Sequence, residues 1–167
     1  MGKTVNYLAL GLGANLGDRL KSLRTAVRHI KSRQDILLVS ASDVFESAPW
    51  GVEEQPSFLN ACITIATQRS PQELLDLLKE IEHVMGRQVR GKWERREIDL
   101  DILLSKEGTV IQEDRLTIPH AFLAERAFVL CPLAQIAPEW SHPLLGRSIL
   151  ELQQRVDCSE IRRITTL

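Results

Sequence analysis

The chain has 167 residues, 44% of them hydrophobic and 26% charged, with a formal net charge of −1. That length suits one domain, read as residues 1–167, which buries roughly 70% of its unfolded surface without needing a disulfide or a metal. The balanced charge argues against a globally basic nucleic-acid binder or a polybasic membrane-surface protein, and with no run of about 18 apolar residues no transmembrane helix is predicted.

Residues 5–13, VNYLALGLG, predict a strand ending in glycines. The stretch is too short for a signal peptide, since Asp18 and Arg19 follow it closely, and Asn6 breaks the N-myristoylation pattern. GLGANLG (11–17) is not a nucleotide glycine loop, because Leu16 stands where the third glycine of G-x-G-x-x-G belongs. It predicts a tight strand-to-helix turn that uses the φ > 0 tolerance of glycine. Asp18 is placed to cap a helix whose Leu20, Leu23, Val27 and Ile30 share one face. Residues 36–47 predict a strand, broken at APWG, and residues 58–67 another. SPQE (70–73) is a capping box with Pro71 at the first helical position. The helix it opens turns Leu74, Leu77, Leu78 and Ile81 inward and stops at Gly86.

After a basic loop, EIDLDILLS (97–105) predicts a buried strand, then a hairpin with KEG as the turn and TVIQ (109–112) as the return. AERAFVLCPLAQI (124–136) predicts a short helix, or two, broken before Pro132. Beyond that the sequence carries no clear element. The β-α-β-β-α-β order predicts an α+β fold: a ferredoxin-like antiparallel sheet with helices on one face, extended by a hairpin and C-terminal helices. Cys62, Cys131 and Cys158 are odd in number and widely spaced. They predict neither a disulfide framework nor a zinc site and fit a reducing cytosol.

Two carboxylates interrupt the last core strand. Asp99 and Asp101, at i and i+2, point to one face roughly 6.5–7 Å apart, and as a pair of anions they repel by roughly 2.5 kcal/mol at an effective dielectric of about 20. Either arginines on an exposed edge neutralise them, or they hold magnesium, which takes oxygen ligands and keeps water and phosphate in its shell. The loop before them carries Arg87, Arg90, Lys92, Arg95 and Arg96 against the single acid Glu94, with Gly91 and Trp93. Cations beside paired carboxylates suit phosphoryl transfer; a solvated charged loop is the plainer reading. SAPWG (47–51) and FLN (58–60) mix aromatic, apolar and amide groups in a way that suits a flat heterocycle, although Trp50 and Phe58 also read as packing residues. Asn60 is unusual inside a strand and, if buried, requires partners. His120, after Pro119, reads as structural or as part of a phosphate-facing cluster with Arg115 and Arg126.

LGLGANLGDR, SAPWG, QPSFLNA, RREIDLDILL, RLTIPH and ERAFVLCPLAQIAP, in this order from about Tyr7 to Gly146, resemble the 6-hydroxymethyl-7,8-dihydropterin pyrophosphokinase family of folate biosynthesis. The resemblance implies transfer of a diphosphate from ATP to the pterin hydroxymethyl group, leaving AMP, with two magnesium ions at Asp99 and Asp101. It implies a pterin held between Phe58 and Phe128, with Ser47, Ala48, Pro49, Trp50 and Asn60 around it and Trp93 closing over it. Arg87 and Arg96 correspond to mobile-loop arginines on the triphosphate, and Glu82, Ile102, Arg115, Thr117, His120 and Arg126 to further nucleotide contacts, with Lys79 beside Glu82. Glu94-Arg95 depart from the small residue and proline usual before the arginine. The partners implied are ATP and the pterin, with no nucleic acid, membrane or obligate protein partner, in the cytoplasm. A non-catalytic sensor domain would share the fold and pocket but would not need two aspartates facing a loop of cations.

Overall fold

Residues 2–48, 56–87 and 97–167 are described by a computed structural model. Strand β1 (Asn6–Ala14) leads to helix α1 (Arg19–Lys31), capped by the Asp18 carboxylate, which accepts from the Lys21 N–H at 3.1 Å. Leu23, Ala26 and Ile30 of α1 are wholly buried, with Leu20 and Val27 packed beside them. Strands β2 (Ile36–Ala41), β3 (Asp43–Ser47) and β4 (Phe58–Thr67) follow. Helix α2 (Pro71–Val84) opens on the predicted capping box, in which Ser70 and Glu73 bond reciprocally, an arrangement worth about 1 kcal/mol. Gly86, at φ +87°, ends it. Then come β5 (Asp99–Ser105), β6 (Ile111–Gln112), β7 (Thr117–Ile118), α3 (Ala127–Ile136), β8 (Ser141–His142), β9 (Arg147–Ser148), α4 (Ile149–Gln153) and β10 (Arg162–Thr166).

The main sheet is antiparallel and runs β10-β3-β4-β1-β5, with β2 also paired to β4. Strand β1 lies between β4 and β5, and its alternation sorts two cores. Leu8, Leu10, Leu12 and Ala14 meet α1 and α2, together with Leu59, Ala61, Ile63 and Ile65 of β4 and Ile98, Leu100 and Ile102. On the opposite face Ala9, Cys62, Leu103 and Leu104 meet α3 and α4 through Val129, Leu130, Leu133, Ile149 and Leu152. Helices α1 and α2 thus share one face, as expected, and the C-terminal helices, whose place the sequence left open, add a third layer on the other. Covered on both faces, β4 reads as an almost continuous apolar run rather than an alternating one.

Other expectations are corrected in detail. The strand predicted over 36–47 is interrupted at Ser42, whose hydroxyl accepts the Cys62 N–H at 2.8 Å. TVIQ does not return along β5; Ile111 and Gln112 pair with Ile118 and Thr117 instead. Helix α3 runs through Pro132 without a break, because burial of Val129, Leu130 and Leu133, about 1.5–3 kcal/mol each, outweighs a proline cost of roughly 3 kcal/mol. Cys131 and Cys158, 27 positions apart, form a disulfide. Their chain spacing could not reveal it, since the fold brings the segment after α4 against α3. Among the described residues no helix is long and apolar enough to cross a membrane.

Candidate active site

The glycine-rich stretch is strand, not turn, up to Ala14, and only Gly17 within it has positive φ, +69°. Gly13 stands opposite Asn60 of β4 and opposite Asp99 of β5, and Gly11 stands opposite Cys62 and Asp101. Cross-strand partners share a face, so Asn60, Gly13, Asp99, Gly11 and Asp101 all belong to the face that α3 covers only further along. Asn60, Gly13 and Asp99 thus form a row across three strands.

On the β4 side of that row, Asn60 is buried and its amide donates to the Ser47 hydroxyl at 2.7 Å. The partner required of a buried strand asparagine is therefore a residue already assigned to the same pocket. Phe58, which pairs with Ser47, is half-buried, and Ala48 beyond it is exposed. The strand is anchored from behind: the Arg19 guanidinium donates to the Glu46 carboxylate at 3.1 Å and to the Ser57 carbonyl at 2.8 Å. Asn15, buried, donates to the Pro56 carbonyl. None of Arg19, Asn15 or Gly13 was among the residues singled out from sequence; the strand position of Gly13 was the available signal.

On the β5 side, Asp99 and Asp101 are half-buried on one face, as their spacing predicts. Burial, then the Asp99 charge, pushes Asp101 up to about 7, with Lys79 and Arg126 opposing. Glu82, only 2% exposed, is the hub beneath them. Its carboxylate accepts the Leu100 N–H at 2.9 Å and the Arg87 guanidinium at 3.0 Å, with Lys79 at 3.3 Å. Burial raises its pKa, against the pull of Lys79, the Leu100 N–H and Arg87. Arg87 reaches Asp99 with its other terminal nitrogen at 3.4 Å.

At the start of α3, the Arg126 guanidinium lies over the rings of Phe122 and Phe128, 5.1 and 5.6 Å from their centres. Burial, then the Arg126 charge, lowers His120 to about 4, so the imidazole is neutral at pH 7. Its Nδ1 accepts the Phe122 N–H at 3.2 Å, which leaves the proton on Nε2. The His120 backbone N–H donates to the Leu103 carbonyl at 2.9 Å. Ile102 is buried in the core beneath, whereas Thr117 is exposed on β7. Arg115 forms an exposed ion pair with Asp76 at 2.9 Å. Pro49, Trp50, Trp93 and Arg96, with Arg90, Lys92, Glu94 and Arg95, lie outside the described residues.

Comparison with known proteins matches residues 9–138 to the family of 7,8-dihydro-6-hydroxymethylpterin-pyrophosphokinase. A Methylorubrum extorquens protein named 2-amino-4-hydroxy-6-hydroxymethyldihydropteridine pyrophosphokinase is 40% identical over 155 residues, covering 93% of this chain and 96% of its own. A protein of the same name from Aquifex aeolicus is 41% identical over 144 residues, 86% of this chain and 88% of that one. Among solved structures, wild-type Plasmodium falciparum HPPK-DHPS with pteroate superposes with a TM-score of 0.72 at 16% identity, over 93% of this chain and 43% of that chain. This chain thus spans under half of that structure, and at such identity the likeness is one of fold.

Proposed function

Because the chain belongs to the 7,8-dihydro-6-hydroxymethylpterin-pyrophosphokinase family of folate biosynthesis, we propose that the face shared by β4, β1 and β5 carries its diphosphate transfer from ATP to the pterin. The observation that carries this placement is the row Asn60–Gly13–Asp99. It sets an amide-and-aromatic pocket on one side of a single strand and a carboxylate pair on the other.

In this reading Phe58 and Phe128 sandwich the pterin, and Ser47, Ala48 and Asn60, with Pro49, Trp50 and Trp93, surround it. The Asn60 amide, held by Ser47, presents its oxygen to the donors on the ring edge. Arg87, Arg96, Arg115 and Arg126 bind the nucleotide phosphates. His120 contributes a neutral Nε2–H, and Glu82 positions Arg87. Thr117 and Ile102 complete the nucleotide side.

Asp99 and Asp101 fit magnesium. They are an all-oxygen donor pair on one face; burial and then the Asp99 charge push Asp101 up to about 7, and a divalent cation would offset both. Two such ions, held there with ATP, supply charge neutralisation at the phosphate oxygens. The protein's own contribution is positioning, which can be worth roughly 7–11 kcal/mol. The hydroxymethyl oxygen bonds to the β-phosphorus, the bond from that phosphorus to the α-phosphate bridging oxygen breaks, AMP leaves, and the hydroxyl proton is released. The loop 87–96 closes over both substrates and excludes water. The whole chain acts as one catalytic domain in the cytosol, where ATP and a reduced pterin are both at hand and where the Cys131–Cys158 pair would be held largely as thiols.

The test is AMP release from ATP and magnesium with and without 6-hydroxymethyl-7,8-dihydropterin, repeated with Asp99→Ala. Pterin-dependent AMP that vanishes in the variant is expected. Equal AMP release from the variant would remove the carboxylate pair from the site.

A further inference from the structure

We propose that Gly13 is a specificity-determining residue, the bare floor over which the hydroxymethyl arm of the acceptor crosses from the pterin pocket to the phosphates; this rests on the placement of the two substrates argued above. A glycine in the middle of a strand costs roughly 0.5–1 kcal/mol relative to alanine and leaves nothing to pack, so its presence calls for a reason. Conformation is not that reason, because Gly13 has no positive φ and is paired on both sides, to Asn60 and to Asp99. Neither is solid packing: unlike its strand neighbours Leu12 and Ala14, Gly13 is half-exposed in the central strand of the sheet. The face above it keeps part of its contact with solvent.

A Cβ built there would meet the Asn60 side-chain oxygen at 3.3 Å and the Phe58 ring at 3.7 Å. Those are two groups of the pterin pocket. Gly11, two residues back, differs: its Cβ would meet the Leu103 methyls at 3.3 Å and 3.4 Å, and Leu103 belongs to the core under α3. Gly11 therefore faces the core under α3, whereas Gly13, equally half-buried, faces the groups assigned to the pterin pocket. Adjacent strands lie about 4.8 Å apart, so the β4 and β5 backbones that flank Gly13 stand roughly 10 Å apart. A flat ring against Asn60 and Phe58 must send its reacting oxygen across that gap toward Asp99. A methyl on residue 13 raises the floor by about 1.5 Å at the point where the arm crosses.

Gly13→Ala provides the test, with two acceptors. For 6-hydroxymethyl-7,8-dihydropterin, kcat is expected to fall roughly 100-fold, the usual consequence of a misplacement of about 1 Å. The arm-less 7,8-dihydropterin, with magnesium and a non-hydrolysable ATP analogue, is expected to lose only a few-fold in affinity, far less than the fall in kcat, since the Asn60 oxygen need give only slightly to admit the methyl. The variant is expected to stay folded, with a melting temperature close to that of the unaltered chain. Unchanged turnover would overturn the proposal. So would a variant that loses both pterins together, or does not fold, since Gly13 would then be a packing position for Asn60 and Phe58. An unaltered chain that binds neither pterin would instead overturn the placement of the pterin itself, and the role of Gly13 with it.

Discussion

Arg87 joins the buried carboxylate of Glu82 at 3.0 Å while its other terminal nitrogen faces Asp99 at 3.4 Å. One guanidinium therefore spans from the interior of α2 to the carboxylate pair on β5. Glu82 also accepts the Leu100 N–H at 2.9 Å, so it fixes the register of α2 against β5 as well as the direction of Arg87. Lys79 and Arg87 keep some contact with water, and losing Glu82 does not strand them; the Leu100 N–H it strands outright. Glu82→Ala is expected to cost about 2–3 kcal/mol of folding stability, chiefly from that unsatisfied donor, and to weaken nucleotide binding. Glu82→Gln keeps an acceptor for Leu100 and should cost less. Urea denaturation of both variants, alongside nucleotide titration, checks this; equal stability of the two would show that the charge, not the Leu100 bond, is what Glu82 supplies.

Asp101 should behave in the opposite sense. Its carboxylate is held near Asp99 with burial against it, a local arrangement that opposes folding and that the proposed magnesium-binding role would account for. Asp101→Asn is expected to raise the melting temperature of the protein without magnesium, because it removes the repulsion within the pair. The same change is expected to lower turnover by roughly 100- to 1,000-fold, the range seen when a group that stabilises transition-state charge is lost. A variant that loses stability along with activity would mean that Asp101 is a structural carboxylate.

Much of this was readable from the chain. The capping box at Ser70 and Glu73, the Asp18 cap and the same-face placement of Asp99 and Asp101 all follow from short-range rules and stand in the structure. What escaped the reading depends on distant partners. Gly13 reads as a turn glycine until β4 and β5 pair on either side of it. Glu82 is marked only by the family resemblance, as a nucleotide contact; that it is buried and accepts the Leu100 N–H no local pattern shows. The α3 layer and the disulfide come from chain separations that no local pattern encodes, and β10 has too little alternation to announce a strand.

Strand β10 is attached to β3 by two carboxylate–arginine pairs, which makes its attachment sensitive to acid. The Arg162 guanidinium lies 2.6 Å from Glu46, and Arg163 lies 2.8 Å from Asp43. These arginines are the first cause that holds each carboxyl below its ordinary value. A carboxylate whose pKa is depressed on folding adds stability above its unfolded pKa, about 4, and loses it as pH falls through the folded value. Their arginines lie at the surface, where water and salt screen the attraction, so each pair contributes little. Arg162→Ala/Arg163→Ala is expected to be slightly less stable than the parent at pH 7 and to converge with it below about pH 4. Denaturation midpoints at pH 7 and pH 3 measure the gap; one that persists unchanged in acid would make β10 attachment a matter of packing alone.

The disulfide between Cys131 and Cys158 ties α3 to the segment that leads into β10, closing a loop over 27 positions. A cross-link of that span removes chain entropy from the unfolded state worth roughly 3 kcal/mol. Nothing at the site depends on it directly, because Phe128 and Arg126 are held by the helix and by their own ring contacts. Reduction with dithiothreitol, or Cys158→Ser, is therefore expected to lower unfolding stability by about 3 kcal/mol while turnover at 25 °C stays near that of the oxidised protein. The two cores on either side of the sheet are large enough for the reduced chain to stay folded. Thiol counting on the native and unfolded protein, paired with denaturation in both redox states, separates the outcomes. Loss of activity on reduction would place α3 and its Phe128 under the control of the cross-link, and an unchanged midpoint would show that the two thiols do not pair in solution.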